Sequence, residues 1–363
     1  MQLIGRRRFL IAAAGGLPVP MMAWAATGAP VRPLTVDGRW STGNATLTPA
    51  TLSGGRAYFA GDQAVGAVDL GAESLAWRQS LAAGRGCVFR PRIADSVLIC
   101  GSGAGLAAWA SDDGRPLWQL SPGKQFGTPL LDDGRLYCGD GDRIVAIDAA
   151  SGAPLWSFNT VADTIASYAP AVAGDTLLVG PGDGRLYGLD KRDGRLRWQV
   201  DGMKRWQYLR QLHVDGGILV AGAYQETLHG FDVMDGRELW SFYAGNFINS
   251  HHVADGAAYL WSPTGWVFAL DIRSGGLRWR HRTTDYRGSA GNWGPLMAEL
   301  VTAADHLFAL DMGDTLHLLS RHDGAETARF KAPTGCRPFV LPLPDGKVLL
   351  GSRDGSLLRG VVG

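Results

Sequence analysis

One phrase recurs along the chain and limits what it can fold into more than any other feature. It reads AVDLGAESLAW from Ala67, AWASDDGRPLW from Ala108, AIDAASGAPLW from Ala146, GLDKRDGRLRW from Gly188, GFDVMDGRELW from Gly230 and ALDIRSGGLRW from Ala269, with a degraded LLSRHDGAETA from Leu318. Its tryptophans, Trp77, Trp118, Trp156, Trp198, Trp240 and Trp279, follow one another at nearly even intervals. A fixed period of roughly 40 residues marks a repeat architecture, in which each unit buries its apolar face only by stacking on the next.

Each position of the phrase has a physical reason. An alternating strand such as 186–190 ends in an Asp able to bond its own turn, and a Gly four residues before the Trp accepts the left-handed backbone of a hairpin loop. The Trp then lies on the following strand, where a large ring fills the wedge between two radial sheets, and the Ala or Gly ten residues earlier leaves it room. Upstream of each phrase come two further β-patterned runs, for example Leu130-Leu131 and Leu136-Tyr137-Cys138, parted by Asp-Asp-Gly at 132–134. Four strands in about 40 residues make a propeller blade. The glycines agree: 51 among 363 residues is about twice the usual ~7%, as many short hairpins require.

Residues 1–25 stand apart as an export signal, with the propeller occupying 26–363. Arg6, Arg7 and Arg8 precede an apolar run from Phe9 to Ala14, and Ala23-Trp24-Ala25 supplies a small-x-small cleavage site. Read as R-R-x-F-L, the segment resembles a twin-arginine signal, although Gly5 and Ile11 depart from that pattern, and ordinary secretion is the alternative. Cleavage near Ala25 predicts a mature periplasmic protein without a transmembrane segment, because a span needs about 20 uninterrupted apolar residues. No cysteine lies near the cleavage site, so a lipid-modified N-terminus is not expected.

At a period of roughly 40 residues, the stretch 26–363 has room for eight blades, yet only seven phrases are visible. The expected fold is therefore all-β, a single eight-bladed propeller of four-stranded antiparallel blades. Its last blade is closed by an N-terminal strand around Leu34 to Trp40, with Trp40 as the eighth docking residue. Departures from the phrase follow ordinary repeat decay: Glu73 replaces the turn Gly in blade 1, Ala110 the Asp in blade 2, and Leu318, Ser320 and Ala328 the small residue, the Asp and the Trp in blade 7. The interval from Trp279 to Ala328 is longer than the others, with the added sequence expected around Glu299 to Asp311.

The phrases resemble the tryptophan-docking motif, A-x-D-x-x-T/S-G-x-x-x-W, of the pyrroloquinoline-quinone (PQQ) repeat propellers, over about residues 34–363. That family spans PQQ-dependent dehydrogenases and non-enzymatic scaffolds, among them the periplasmic propeller of the outer-membrane β-barrel assembly machine. The resemblance implies a non-catalytic scaffold engaging a protein partner in the cell envelope. The alternative it implies is a PQQ-dependent oxidoreductase, or its cofactor-holding subunit, with PQQ and calcium. The dehydrogenases are usually much longer, and many carry a pair of adjacent bonded cysteines that this sequence lacks. No catalytic residues are nominated, because no carboxylate set falls together in the blade register.

Charge narrows the partners. With 35 Lys and Arg against 34 Asp and Glu, no global field draws the chain onto nucleic acid. The connections between blades carry the candidate binding residues Phe126, Tyr168, Trp206, Tyr208, Arg210, Phe247, Asn249 and Trp293, an aromatic and polar mixture typical of binding surfaces that could equally plug the axial channel. His213 and His252 hold equivalent inner-strand positions in adjacent blades, with His251 beside the second, and are weak candidates for metal. Glycine clusters at 101–105 and 180–184 fall in hairpins and open no phosphate-binding helix, while Asp140-Gly141-Asp142 is read as a turn before a calcium site. Of the four cysteines, Cys87 and Cys336 lie at similar points of the blades flanking blade 1 and are the pair nominated for a bridge, which stays open. Cys100 and Cys138 are expected as buried thiols.

Overall fold

The computed structural model describes residues 28–363 apart from 162–163, 203–205, 207–208, 224–226, 245–249, 263–264, 284–299, 312 and 334. These residues form strands and no α-helix, arranged in eight sheets. Blades 1 to 6 are consecutive four-stranded antiparallel sheets over residues 51–80, 92–120, 130–159, 171–201, 210–243 and 250–282, each running from an inner to an outer strand. Blade 7 covers 301–331. Blade 8 has three strands of its own over 336–361, and Thr35–Ser41 pairs antiparallel with Ser356–Val361 as its outer strand. The expected closure of the ring is therefore present. An additional strand, Val31–Pro33, runs parallel to Glu326–Lys331 and makes blade 7 five-stranded. The N-terminal segment thus crosses from blade 7 to blade 8 and holds both.

The small residue of each phrase is the direct cross-strand partner of its Trp: Ala67 with Trp77, Ala108 with Trp118, Ala146 with Trp156, Gly188 with Trp198, Gly230 with Trp240 and Ala269 with Trp279. The rings reach into the following blade. Indole Nε1 of Trp77, Trp118, Trp156, Trp240 and Trp279 donates to the carbonyls of Ser111, Ala149, Lys191, Ile272 and Arg321 at 2.8 to 3.2 Å. The ring faces pack on the next blade's turn glycine. A Cβ at Gly114, Gly152, Gly194, Gly236, Gly275 or Gly324 would lie 2.3 to 2.8 Å from a tryptophan carbon of the preceding blade. That Gly consequently has two duties: it takes a left-handed φ and leaves its neighbour's indole a flat seat. The Asp of the phrase behaves as expected, with Asp69, Asp190, Asp232 and Asp271 accepting backbone N–H bonds from their own turns.

Departures from the phrase have structural counterparts. Glu73 adopts φ +54°, and its carbonyl accepts the Trp40 indole N–H at 3.0 Å. In blade 7, Leu318 pairs with Ala328, so the large and small residues have exchanged places. Aliphatic packing replaces the indole there: Leu34, from the N-terminal segment, joins Leu318, Phe330, Val348, Leu350 and Leu358 in one buried cluster. Residues 301–303 and 306–310 are two ordinary strands of blade 7, so the sequence around Glu299 to Asp311 is not the insertion expected there. The added length lies within 284–299, outside the described residues. Cys87 lies against Cys100, with sulfurs 2.8 Å apart; the side chain of Cys336, nominated as its partner, is outside the described residues.

Candidate functional site

The connections between blades and the hairpins joining second to third strands meet on one face, and side chains clamp them together. Asn44 Oδ1 accepts the N–H groups of Gln63 and Ala64, while Asp62 Oδ1 accepts those of Ala45 and Thr46. Asp140 accepts from Gly123 and Lys124 at 2.9 and 2.7 Å and pairs with Arg143 at 2.5 Å. Burial works against the Asp140 charge, yet these N–H groups and the guanidinium hold its carboxyl below the ordinary range. Asp140 is a fastener for the connection, as a turn assignment implies, and its oxygens are engaged by protein.

Cys87, Phe126 and Ala166 occupy equivalent places, each donating its N–H to a hairpin carbonyl of the preceding blade, from Gly61, Gly103 and Gly141 respectively. Phe126 is 4% exposed among Ile99, Leu136, Cys138 and Ile147, between blades 2 and 3. Trp206 is 2% exposed, with its ring 4.9 Å from Phe231 in edge-on geometry. Both aromatics therefore fill wedges between blades, and neither is presented on the face. Tyr168 is half-buried. Arg210 begins the inner strand of blade 5, where its backbone pairs with Gly222. Tyr208, Phe247, Asn249 and Trp293 lie outside the described residues, as does the Arg210 side chain.

One sector has irregular geometry. The inner strand of blade 5 carries a bulge between Arg210 and His213, with Gln211 at φ +50°. A non-glycine residue held there costs about 1–3 kcal/mol, and bulges of this kind re-aim side chains. Beyond it His213 packs edge-on against His251 and His252, with ring centroids 5.0 and 5.9 Å away. His252 Nε2 lies 3.1 Å from Thr302 Oγ1 in blade 7. Burial, reinforced by His252, pushes His213 down to about 4; burial and His213 lower His251 as well. His213 and His251 are therefore neutral near pH 7. Among the described residues no group of three or more His, Cys, Asp or Glu is placed to hold a metal.

Blade 7 carries a buried ionic chain that sequence reasoning missed. His317 lies between Glu326 Oε1, 2.6 Å from Nδ1, and Asp311 Oδ2, 3.2 Å from Nε2. Arg329 binds both oxygens of Glu326. Burial opposes charge on His317, but the two carboxylates raise its pKa above the ordinary value; burial also opposes charge on Glu326, which His317 and Arg329 nonetheless hold at about 2. When protonated, this imidazole donates from both nitrogens, to Glu326 and to Asp311. The available signal was positional: His317 and Glu326 have the same spacing as His229 and Glu238 in blade 5, which also bond, at 2.9 Å. A bound quinone with calcium would need carboxylates gathered around one cavity. Among the described residues the buried carboxylates of Asp140, Asp311 and Glu326 are already engaged by N–H groups or cations of the chain, Asp311 and Glu326 on the two sides of His317, and carboxylates committed in this way do not suit that pair.

Eight blades, seven of four strands and one of five, joined except at blade 7 by indoles docking on the next blade's turn, define the class: a PQQ-like repeat propeller. The family model described as outer membrane protein assembly factor BamB matches residues 61–205 and 200–324, and the chain belongs to that family. BamB of Alkalilimnicola ehrlichii is 29% identical over 208 residues, covering 53% of this chain; the match spans half that relative's length. Among solved structures, BamB from Moraxella catarrhalis is 21% identical at a TM-score of 0.68, covering 90% of this chain and 97% of that one. The computationally designed Ika8 protein is 15% identical at 0.73, covering 90% and 98%, and Saccharomyces cerevisiae Sqt1 is 11% identical at 0.70, covering 93% and 100%. At these identities the structures speak to fold alone.

Proposed function

We propose that this chain is a non-catalytic scaffold of outer-membrane protein assembly, exported to the periplasm by the signal at positions 1–25, which engages a protein partner of the cell envelope. The observation that carries the proposal is the BamB family match across most of the propeller. Two features support it. The buried acids Asp140, Asp311 and Glu326, with His317 between the last two, are engaged in fastening the chain. The connections entering blades 4 to 7 carry the surface candidates Tyr168, Tyr208, Arg210, Phe247, Asn249 and Trp293, and these are the proposed docking residues.

The test is site-specific photo-crosslinking in cells, with a photoreactive residue replacing Tyr168, Arg210 or Trp293 in turn. The expected product is an adduct with a subunit of the outer-membrane β-barrel assembly machine. In parallel, purified protein is titrated with PQQ and calcium, and no quinone absorbance should be retained. Stoichiometric quinone binding with dye reduction on alcohols or sugars would replace the scaffold with the oxidoreductase.

A further inference from the structure

We infer that Cys87 and Cys100 form a disulfide that ties the connection between blades 1 and 2 to the body of blade 2. The Cys87 and Cys100 sulfurs lie 2.8 Å apart, and both residues are buried, at 4% and 0% exposure. They are set by different elements. Cys100 is on the strand Val97–Ser102, held between its blade neighbours, while Cys87 is fixed by its N–H bond to the Gly61 carbonyl of blade 1. Tyr58, Val65, Trp77, Leu98 and Trp109 pack around the pair. Two free thiols on different elements are therefore brought to within 2.8 Å of each other by the fold.

The corresponding place in blade 3 provides a contrast. There Cys138 packs with Phe126, the residue equivalent to Cys87; burial pushes up the thiols of Cys138 and Cys100 alike, so the difference between the two places is the second sulfur. One thiol in this wedge is an inert apolar filler; two in contact are a redox couple. Access exists as well. A cavity of about 240 Å³ is lined by both Cys87 and Cys100, together with Arg85, Ser102, Trp109 and Gln119. A low-molecular-weight disulfide such as oxidised glutathione supplies the oxidising equivalents by exchange. One S–S bond forms between Cys87 and Cys100, the bond of the small disulfide breaks, and its two halves leave as thiols carrying the two protons and two electrons. The bond closes a short loop, which constrains the unfolded chain and favours the folded one.

The experiment uses the full chain, incubated with oxidised glutathione, acid-quenched, unfolded and alkylated, then digested with trypsin without reduction. The expected result is two alkylated cysteines out of the four in the sequence, with peptides 86–92 and 93–124 joined at a mass lower than their sum by two hydrogens. Thermal unfolding of the oxidised protein should fall by a few degrees on adding dithiothreitol, and the Cys87→Ala protein should show no such response. Four alkylated cysteines after oxidation, or a link from Cys87 to Cys336, would overturn the inference. If Cys87→Ala fails to fold, the thiol count and peptide linkage of the unmodified chain decide alone.

Discussion

Blade 5 offers a matched pair of substitutions that isolates the docking contact. Gly217 and Gly236 both have left-handed backbones, φ +80° and +74°, so Ala at either position incurs the same conformational penalty, about 1–2 kcal/mol. Their surroundings differ. Nothing lies within 4 Å of a Cβ built on Gly217, whereas a Cβ on Gly236 meets Trp198 at 2.4 Å and Val200 at 2.9 Å. The indole belongs to blade 4, so relieving that clash means moving two blades apart, and overpacking of this kind adds roughly 1–3 kcal/mol. Gly236→Ala should therefore be about 1–3 kcal/mol less stable than Gly217→Ala in urea unfolding followed by tryptophan fluorescence and circular dichroism. The excess should shrink when Trp198→Leu is combined with each change, since the clash then has a softer partner. Equal destabilisation by the two alanines would refute the view that each turn glycine is a seat for the preceding blade's tryptophan.

Two further perturbations follow from the same structure. Trp40→Ala removes the indole between blades 8 and 1 and its bond to Glu73, which should cost about 3–5 kcal/mol; deleting residues 31–41 should lower the melting temperature sharply, and an unchanged value would contradict closure of the ring by the N-terminal segment. The histidines should shape the pH dependence in opposite directions. His317 has a raised folded pKa, so its contribution is full below about 6.5, its unfolded value, and is lost as pH rises through the folded one. Glu326, held at about 2, contributes fully above about 4.5, a stabilisation lost as pH falls toward 2. His213, lowered to about 4, makes the protein less stable as pH falls from about 6.5 to that value. His317→Asn should therefore flatten the alkaline limb of stability against pH and His213→Asn the acidic limb between 6.5 and 4; profiles superimposable on the parent would contradict both assignments.

The fold was legible because its strongest signal is local and repeated. A Trp, a turn Gly and a small residue ten positions before the Trp each satisfy a requirement within a single hairpin, so six copies spell out the blade. The eighth blade could be reached by counting strands. The second duty of the turn Gly was not readable, since the ring it seats comes from the preceding blade, as with Trp198 and Gly236. Equally hidden were the parallel strand Val31–Pro33, whose partner Glu326–Lys331 lies near the other end of the chain, and the Leu318 and Ala328 exchange, which reads as decay until their pairing is seen. For the site, adjacency of His213 and His252 followed from blade register. Their packing with His251 needed the bulge at Gln211, which no local pattern announces. Phe126 and Trp206 were readable either as binding-face aromatics or as plugs of the axial channel, since both lie in connections between blades; they fill wedges between neighbouring blades.

The central functional claim is that the propeller serves outer-membrane protein assembly as a scaffold. Its most direct test is the abundance of β-barrel proteins in outer membranes of cells lacking this chain, measured by quantitative mass spectrometry and compared with cells re-expressing it. The account predicts a general fall in those proteins, restored by the intact chain and not by one lacking residues 31–41. Unchanged abundance in the deletion strain would contradict it.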